Sequence, residues 1–141
     1  SVLSNATRVT DPDVFRALLK VDNNIQKLDT ADIDYIRQLD RPTGKYDLEA
    51  TVRALREFNG HVIIQTMFLC GTVDGIDYCN TTDKYVDPWL ETVQYIGPSK
   101  VMIYTIDRET PVSGLCKAAP DILDAIASRL RDMDIETLVS Y

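Results

Sequence analysis

The sequence predicts an α/β fold, about five parallel strands alternating with helices, in a single domain over residues 1–141. Short apolar runs alternate with longer amphipathic ones along the whole chain, and no low-complexity linker interrupts them. The strongest run, "HVIIQTMFLCG" (61–71), is nearly continuous, as in strands that a parallel sheet buries on both faces. Strand followed by helix, repeated, implies parallel strands joined by right-handed crossovers. Two architectures accommodate this pattern: a partial β/α barrel and a small doubly wound sheet. In both, the loops after the strands form the functional edge.

The elements follow in order. "SVLSN" (1–5) reads as a strand. "DPDVFRALLK" (11–20) carries Pro12 where a helix start tolerates a missing N–H, and Val14, Leu18 and Val21 recur at helical spacing. "IQKLDT" (25–30) is a second strand whose Lys27 and Asp29 share one side of the pleat. A short helix is expected over 31–39, ended by Arg41-Pro42 and Gly44. In "DLEATVRALREF" (47–58), Leu48, Val52 and Leu55 form an apolar stripe, and Asn59-Gly60 is the stop. The 61–71 strand precedes a polar loop over 72–84. Asp87-Pro88 opens a helix with Leu90, Val93 and Ile96 inward, closed by Gly97-Pro98. "KVMIYTID" (100–107) is the fourth strand. After a long loop, "PDILDAIASRLRDM" (120–133) is helical through Ile122, Ile126, Leu130 and Met133, and "ETLVSY" (136–141) is the fifth strand.

Composition narrows the function classes. Hydrophobic content of 45% and charged content of 26% are globular values, and no apolar run approaches the roughly 20 residues of a membrane span. The first residues lack the layout of a secretion signal, so a cytoplasmic location is expected, with the glycosylation-acceptor matches at Asn5 and Asn80 accidental. Net charge is −7 with no basic stripe, which argues against nucleic acid. Cys70, Cys79 and Cys116 are an odd number without CxxC spacing, and His61 is the sole histidine. Reduced thiols, and no metal site made by this chain alone, are expected. Without GxGxxG or GxxxxGK[ST], dinucleotide and P-loop binding are disfavoured.

Several strands turn polar at their C-terminal ends: Ser4-Asn5, Lys27 with Asp29, Gln65, and Thr105 with Asp107 and Arg108. In a β/α architecture these positions converge on one rim. Each alone has a plain explanation as a turn, a helix cap or a solvated pair. Gln65 lies inside "VIIQTMF", where its amide needs partners, and its face also carries Ile63 and Met67. The same period-two count places Ile103, Thr105 and Asp107 on the inner face of the fourth strand. Cys70 reads as a small apolar filler and Trp89 as packing.

The order "VLSNATRVTDPDVFRALL", "IQKLDT", "RPTGKYDLEATVRALREF", "VIIQTMFLCG" and "VMIYTIDRETP" resembles the second half of a radical S-adenosylmethionine (radical SAM) enzyme of the iron–sulfur oxidoreductase type, over residues 2–111. The resemblance implies the C-terminal part of a (β/α)6 barrel, with residue 1 near the third barrel strand. The family's CxxxCxxC loop, which ligates a [4Fe–4S] cluster, and its GGE-like stretch are not in these residues. By resemblance, Ser4 and Asn5 lie near the cofactor, and Lys27 and Asp29 match a charged pair contacting S-adenosylmethionine, here in reversed order. Gln65 to Met67 match a segment beside the cofactor, and Asp107, with Thr105 before it, a polar strand end near the adenosyl group. The full-length parent would then use S-adenosylmethionine and a [4Fe–4S] cluster, with neither expected on this chain, which is inactive alone.

Two other readings remain open from the residues themselves. One is a stand-alone α/β binding module for a nucleotide-like or acidic metabolite. The other is a structural interaction domain whose polar strand ends are only caps. A half barrel would also leave the first strand as an open edge and an apolar inner face exposed, so a homo-oligomer is expected.

Overall fold

The computed structural model describes residues 2–4, 10–28, 48–73, 75–77, 79–105 and 115–141. The helix expected over 31–39, and the candidate residues Asn5, Asp29, Asp107 and Arg108, lie outside the described residues.

Five of the strands join one parallel sheet: β1 (Val2–Ser4), β2 (Asn24–Lys27), β3 (Ile63–Met67), β6 (Lys100–Tyr104) and β8 (Thr137–Ser140). Their spatial order is β1-β2-β3-β6-β8, the order of the chain, and every neighbouring pair is parallel. A doubly wound sheet reverses direction at a switch point, whereas barrel-type winding proceeds one way. The doubly wound alternative is thereby excluded. Winding in one sense with crossovers of constant hand places the helices on one face. Burial alternates accordingly: Ile64, Thr66, Val101 and Ile103 are buried, while Ile63, Gln65, Met102 and Tyr104 are half-buried.

The helices are α1 (Pro12–Leu19), α2 (Leu48–Glu57), α3 (Asp83–Ile96) and α4 (Pro120–Asp132). Asp11 caps α1 by accepting from the Asp13 N–H at 2.9 Å, with Pro12 following it as the sequence predicts. Helix α2 buries Thr51 and Leu55, and Phe58 just beyond it stacks on Phe15 of α1 at 4.3 Å. Helix α3 starts before the expected Asp87-Pro88, at Asp83 after Thr82, so Pro88 lies inside it. Pro88 forgoes the bond to the Lys84 carbonyl at an exposed position near the helix start. At the other end Gly97 adopts φ 65°, and its N–H closes on the Val93 carbonyl at 3.0 Å. Helix α4 buries Leu123, Ile126, Ala127 and Leu130 against the sheet.

Trp89 of α3 ties the layers together. It is 1% exposed, and its ring meets Phe68 edge-on at 5.2 Å. Its Nε1–H lies 3.2 Å from the Leu28 carbonyl and 3.1 Å from the Thr66 hydroxyl, which itself donates to Leu28 at 2.6 Å.

The 61–71 run is two strands, not one. Phe68 interrupts it, donating its N–H to the Tyr104 carbonyl at 2.8 Å, and β4 (Leu69–Val73) leaves the main sheet. With β5 (Ile76–Asp77) and β7 (Leu115–Lys117), β4 builds a three-stranded antiparallel sheet in the order β5-β4-β7. Segments expected as loops over 72–84 and before residue 120 therefore hold strands. Asp74-Gly75 between the register partners Val73 and Ile76 is the dipeptide signal for such a hairpin, with Gly75 at φ 78°. Asn80 secures the junction. Its side chain is buried, donating to the Met67 carbonyl at 2.8 Å and accepting from the Leu69 N–H at 3.0 Å.

Two stability measurements follow. Trp89→Phe keeps the aromatic bulk but loses both polar contacts, so it should cost about 1–2 kcal/mol, against about 3–5 kcal/mol for Trp89→Ala. Asn80→Ala strands a backbone acceptor and a donor at once and should cost at least about 2 kcal/mol. Urea denaturation checks both; a lower midpoint at unchanged slope is expected, and midpoints within error of the parent would show that neither tie stabilises the fold.

Candidate functional site

The second face of the parallel sheet is built in register rows. Lys27 of β2 pairs with Gln65 of β3, Gln65 with Met102 of β6, and Met102 with Leu138 of β8. One step nearer the C-terminal ends, Met67 pairs with Tyr104 and Tyr104 with Ser140. Registered partners in a parallel sheet point the same way and stand about 4.8 Å apart. Lys27, Gln65, Met67, Met102 and Tyr104 are all half-buried, and Leu138 is 48% exposed. These rows form a polar-and-thioether strip at the end of the sheet where β/α folds place their sites.

The sequence places the inner face of β6 at Ile103 and Thr105, and the structure corrects this. Ile103 is 1% exposed and belongs to the core beneath the helices. Thr105 is also buried, and its hydroxyl accepts from the Ala118 N–H at 2.9 Å, fastening the segment after β7 to the end of β6. It does not share the face of Lys27 and Gln65. Met102 and Tyr104 occupy that face instead. Both parities of "KVMIY" are apolar beyond its first residue, so alternation alone is uninformative. Lys100 was the usable signal: a charged residue avoids the core, and counting by twos from it reaches Met102 and Tyr104.

Lys27, Gln65 and Met67 thus come together as expected, while Ser4 ends β1, whose backbone pairs with Gln26 of β2. Two ammonium groups, Lys27 and Lys100, lie on this face of a chain whose net charge is −7. Lys100 has Glu136 at 3.9 Å. The amide of Gln65 both donates and accepts, Lys27 donates only, and Tyr104 adds a phenol. That set suits a ligand with a carboxylate and hydroxyl groups beside an apolar or sulfur-bearing part. Among the described residues no group of three His, Cys, Asp or Glu side chains is placed to hold a metal ion. An iron–sulfur cluster therefore does not fit the described residues. A groove of about 440 Å³ between α3 and α4, lined by Asp87, Glu91, Arg129 and Asp132 among others, belongs to the outer helical layer and not to the strand ends. No described helix is long and apolar enough to cross a membrane.

No family model and no curated protein matches the sequence. Solved structures do match. A radical SAM methyltransferase from Sphaerobacter thermophilus superposes with a TM-score of 0.72 at 16% identity, over 98% of this chain and 39% of its own. A domain of pyruvate-formate lyase-activating enzyme from Bacteroides vulgatus gives a TM-score of 0.72 at 9% identity, over 98% of this chain and 79% of its own. The chain thus spans well under half of the methyltransferase. One-way winding, helices on a single face and these superpositions agree: the chain has a radical SAM-like fold, as a partial β/α barrel.

Proposed function

We propose that the chain is the C-terminal part of a radical SAM enzyme barrel, and that the second face of its sheet binds S-adenosylmethionine. The observation that carries this reading is the registered row Lys27–Gln65–Met102 at adjacent parallel strands, with Met67 and Tyr104 above it. Lys27 would meet the methionyl carboxylate, Gln65 a ribose or amino group, and the thioethers of Met67 and Met102 the apolar part of the cofactor. Ser4, Asn5, Asp29 and Asp107 keep the places that the family resemblance assigns them near the cofactor. When bound, the cofactor supplies the radical chemistry, and these residues hold and orient it. The cluster ligands would come from residues outside this chain, which alone is inactive. The substrate is not specified by this face, because its residues are those facing the cofactor.

The open reading frame that contains this chain is expected to encode CxxxCxxC upstream of Ser1; a frame without it overturns the reading. In that full-length protein, Lys27→Ala should weaken equilibrium binding of S-adenosylmethionine about tenfold, the scale of one lost charge-assisted hydrogen bond. Arg56→Ala, on the outer layer over Tyr95, should leave it unchanged. Equal effects of the two substitutions would remove the site from this face.

By itself the chain is proposed to associate with a second copy. Among the described residues β1 ends the sheet on one side, and the second face presents Leu138 and the methionines. Light scattering should give a mass that rises with concentration towards a dimer; a monomer at the highest attainable concentration would defeat the proposal.

A further inference from the structure

Two of the chain's cysteines meet at the ends of the β4–β5 hairpin. Cys70 sits in β4 and Cys79 just past β5, nine residues apart, with their Sγ atoms at 3.1 Å. The Thr81 hydroxyl lies 3.1 Å from the Cys79 sulfur and 3.4 Å from the Cys70 sulfur, within reach of whichever is ionised. Both cysteines are half-buried, not sealed in the core. A disulfide is about 2.05 Å long, so an approach of about an ångström brings these sulfurs to bonding distance. The expectation that Cys70 is a mere filler does not account for this pairing. Cys116, the third cysteine, stands opposite Cys70 in the β4–β7 register.

We propose that Cys70 and Cys79 form a dithiol–disulfide site that exchanges with small-molecule disulfides of the glutathione type. One thiol loses its proton, and its thiolate attacks a sulfur of the small disulfide. That S–S bond breaks, a mixed disulfide forms, and the first small thiolate leaves and takes up the proton. The second protein thiol then loses its proton and displaces the remaining small thiolate. Two protein thiols are oxidised to one disulfide, and one small disulfide is reduced to two thiols. The bridge joins β4 to the residue before Asn80, whose side chain holds the Met67 carbonyl and the Leu69 N–H. Oxidation therefore stiffens the end of β3 that carries Gln65 and Met67, whatever that face binds.

The 141-residue chain is treated with glutathione disulfide, alkylated, digested without reductant and mapped by mass spectrometry. A Cys70–Cys79 linked peptide, lighter than its separate halves by two hydrogen atoms, is expected in the parent and equally in Cys116→Ser. In Cys79→Ser, glutathione should remain on Cys70 as a mixed disulfide. On oxidation of the parent, amide hydrogen exchange at Leu69 and Asn80 should slow about tenfold. Stable glutathione adducts on both cysteines of the parent, linkage of Cys70 to Cys116 in place of Cys79, or unchanged exchange at Leu69 would each overturn the proposal.

Discussion

The carbonyl of Leu28 decides which way two strands face. Leu28 is 2% exposed; its N–H donates to the Gln65 carbonyl at 3.0 Å, and its own carbonyl receives Thr66 and Trp89. With Leu28 and Thr66 committed to the helical layer, the pleat sends Lys27, Gln65 and Met67 to the other side. Slipping either strand by one residue would bury Lys27 or Gln65 under the helices and expose the core, an exchange no other contact could offset. The registered strip on the second face is therefore a consequence of a tie made wholly on the first.

Polar residues within these strands fall into two groups that only the fold separates. Asn24, Gln26, Thr66 and Thr105 are buried on the helical side, and no described buried polar side-chain atom lacks a partner. The Gln26 amide donates to the Asn24 side chain at 2.6 Å, and Asn24 in turn to the His61 carbonyl at 3.1 Å. Such closed networks specify strand position, because a half-satisfied one costs more than apolar packing. Lys27 and Gln65 belong to the other group. A glutamine in an apolar run thus identifies a ligand face only when its neighbours in register are known.

Legibility in the sequence follows from this. Alternating runs, the Pro12 start, the Asn59-Gly60 and Gly97 stops and the one-way succession of strand and helix are local properties, and they yielded the parallel sheet. The parity of β6 is set by its pairing with β3; within the strand only Lys100 marks it, and a count that does not start there puts Thr105 on the wrong face. The antiparallel sheet was missed because its strands are only two to five residues long, although Asp74-Gly75 marked its turn. The cysteine pair is non-local in another way: two thiols nine positions apart touch only because the hairpin returns the chain.

A parallel sheet almost always has both faces covered, and the character of the second face restricts its covering. Ile25, Ile63, Met67, Met102 and Leu138 would accept any apolar layer. Lys27 adds a second condition, because an ammonium needs oxygen acceptors or water around it wherever it is covered, and in this chain it already interacts with its surroundings. A covering over this part of the face therefore has to be apolar over most of the strip and leave the surroundings of Lys27 in place, a condition that a packed segment and a bound molecule can both meet.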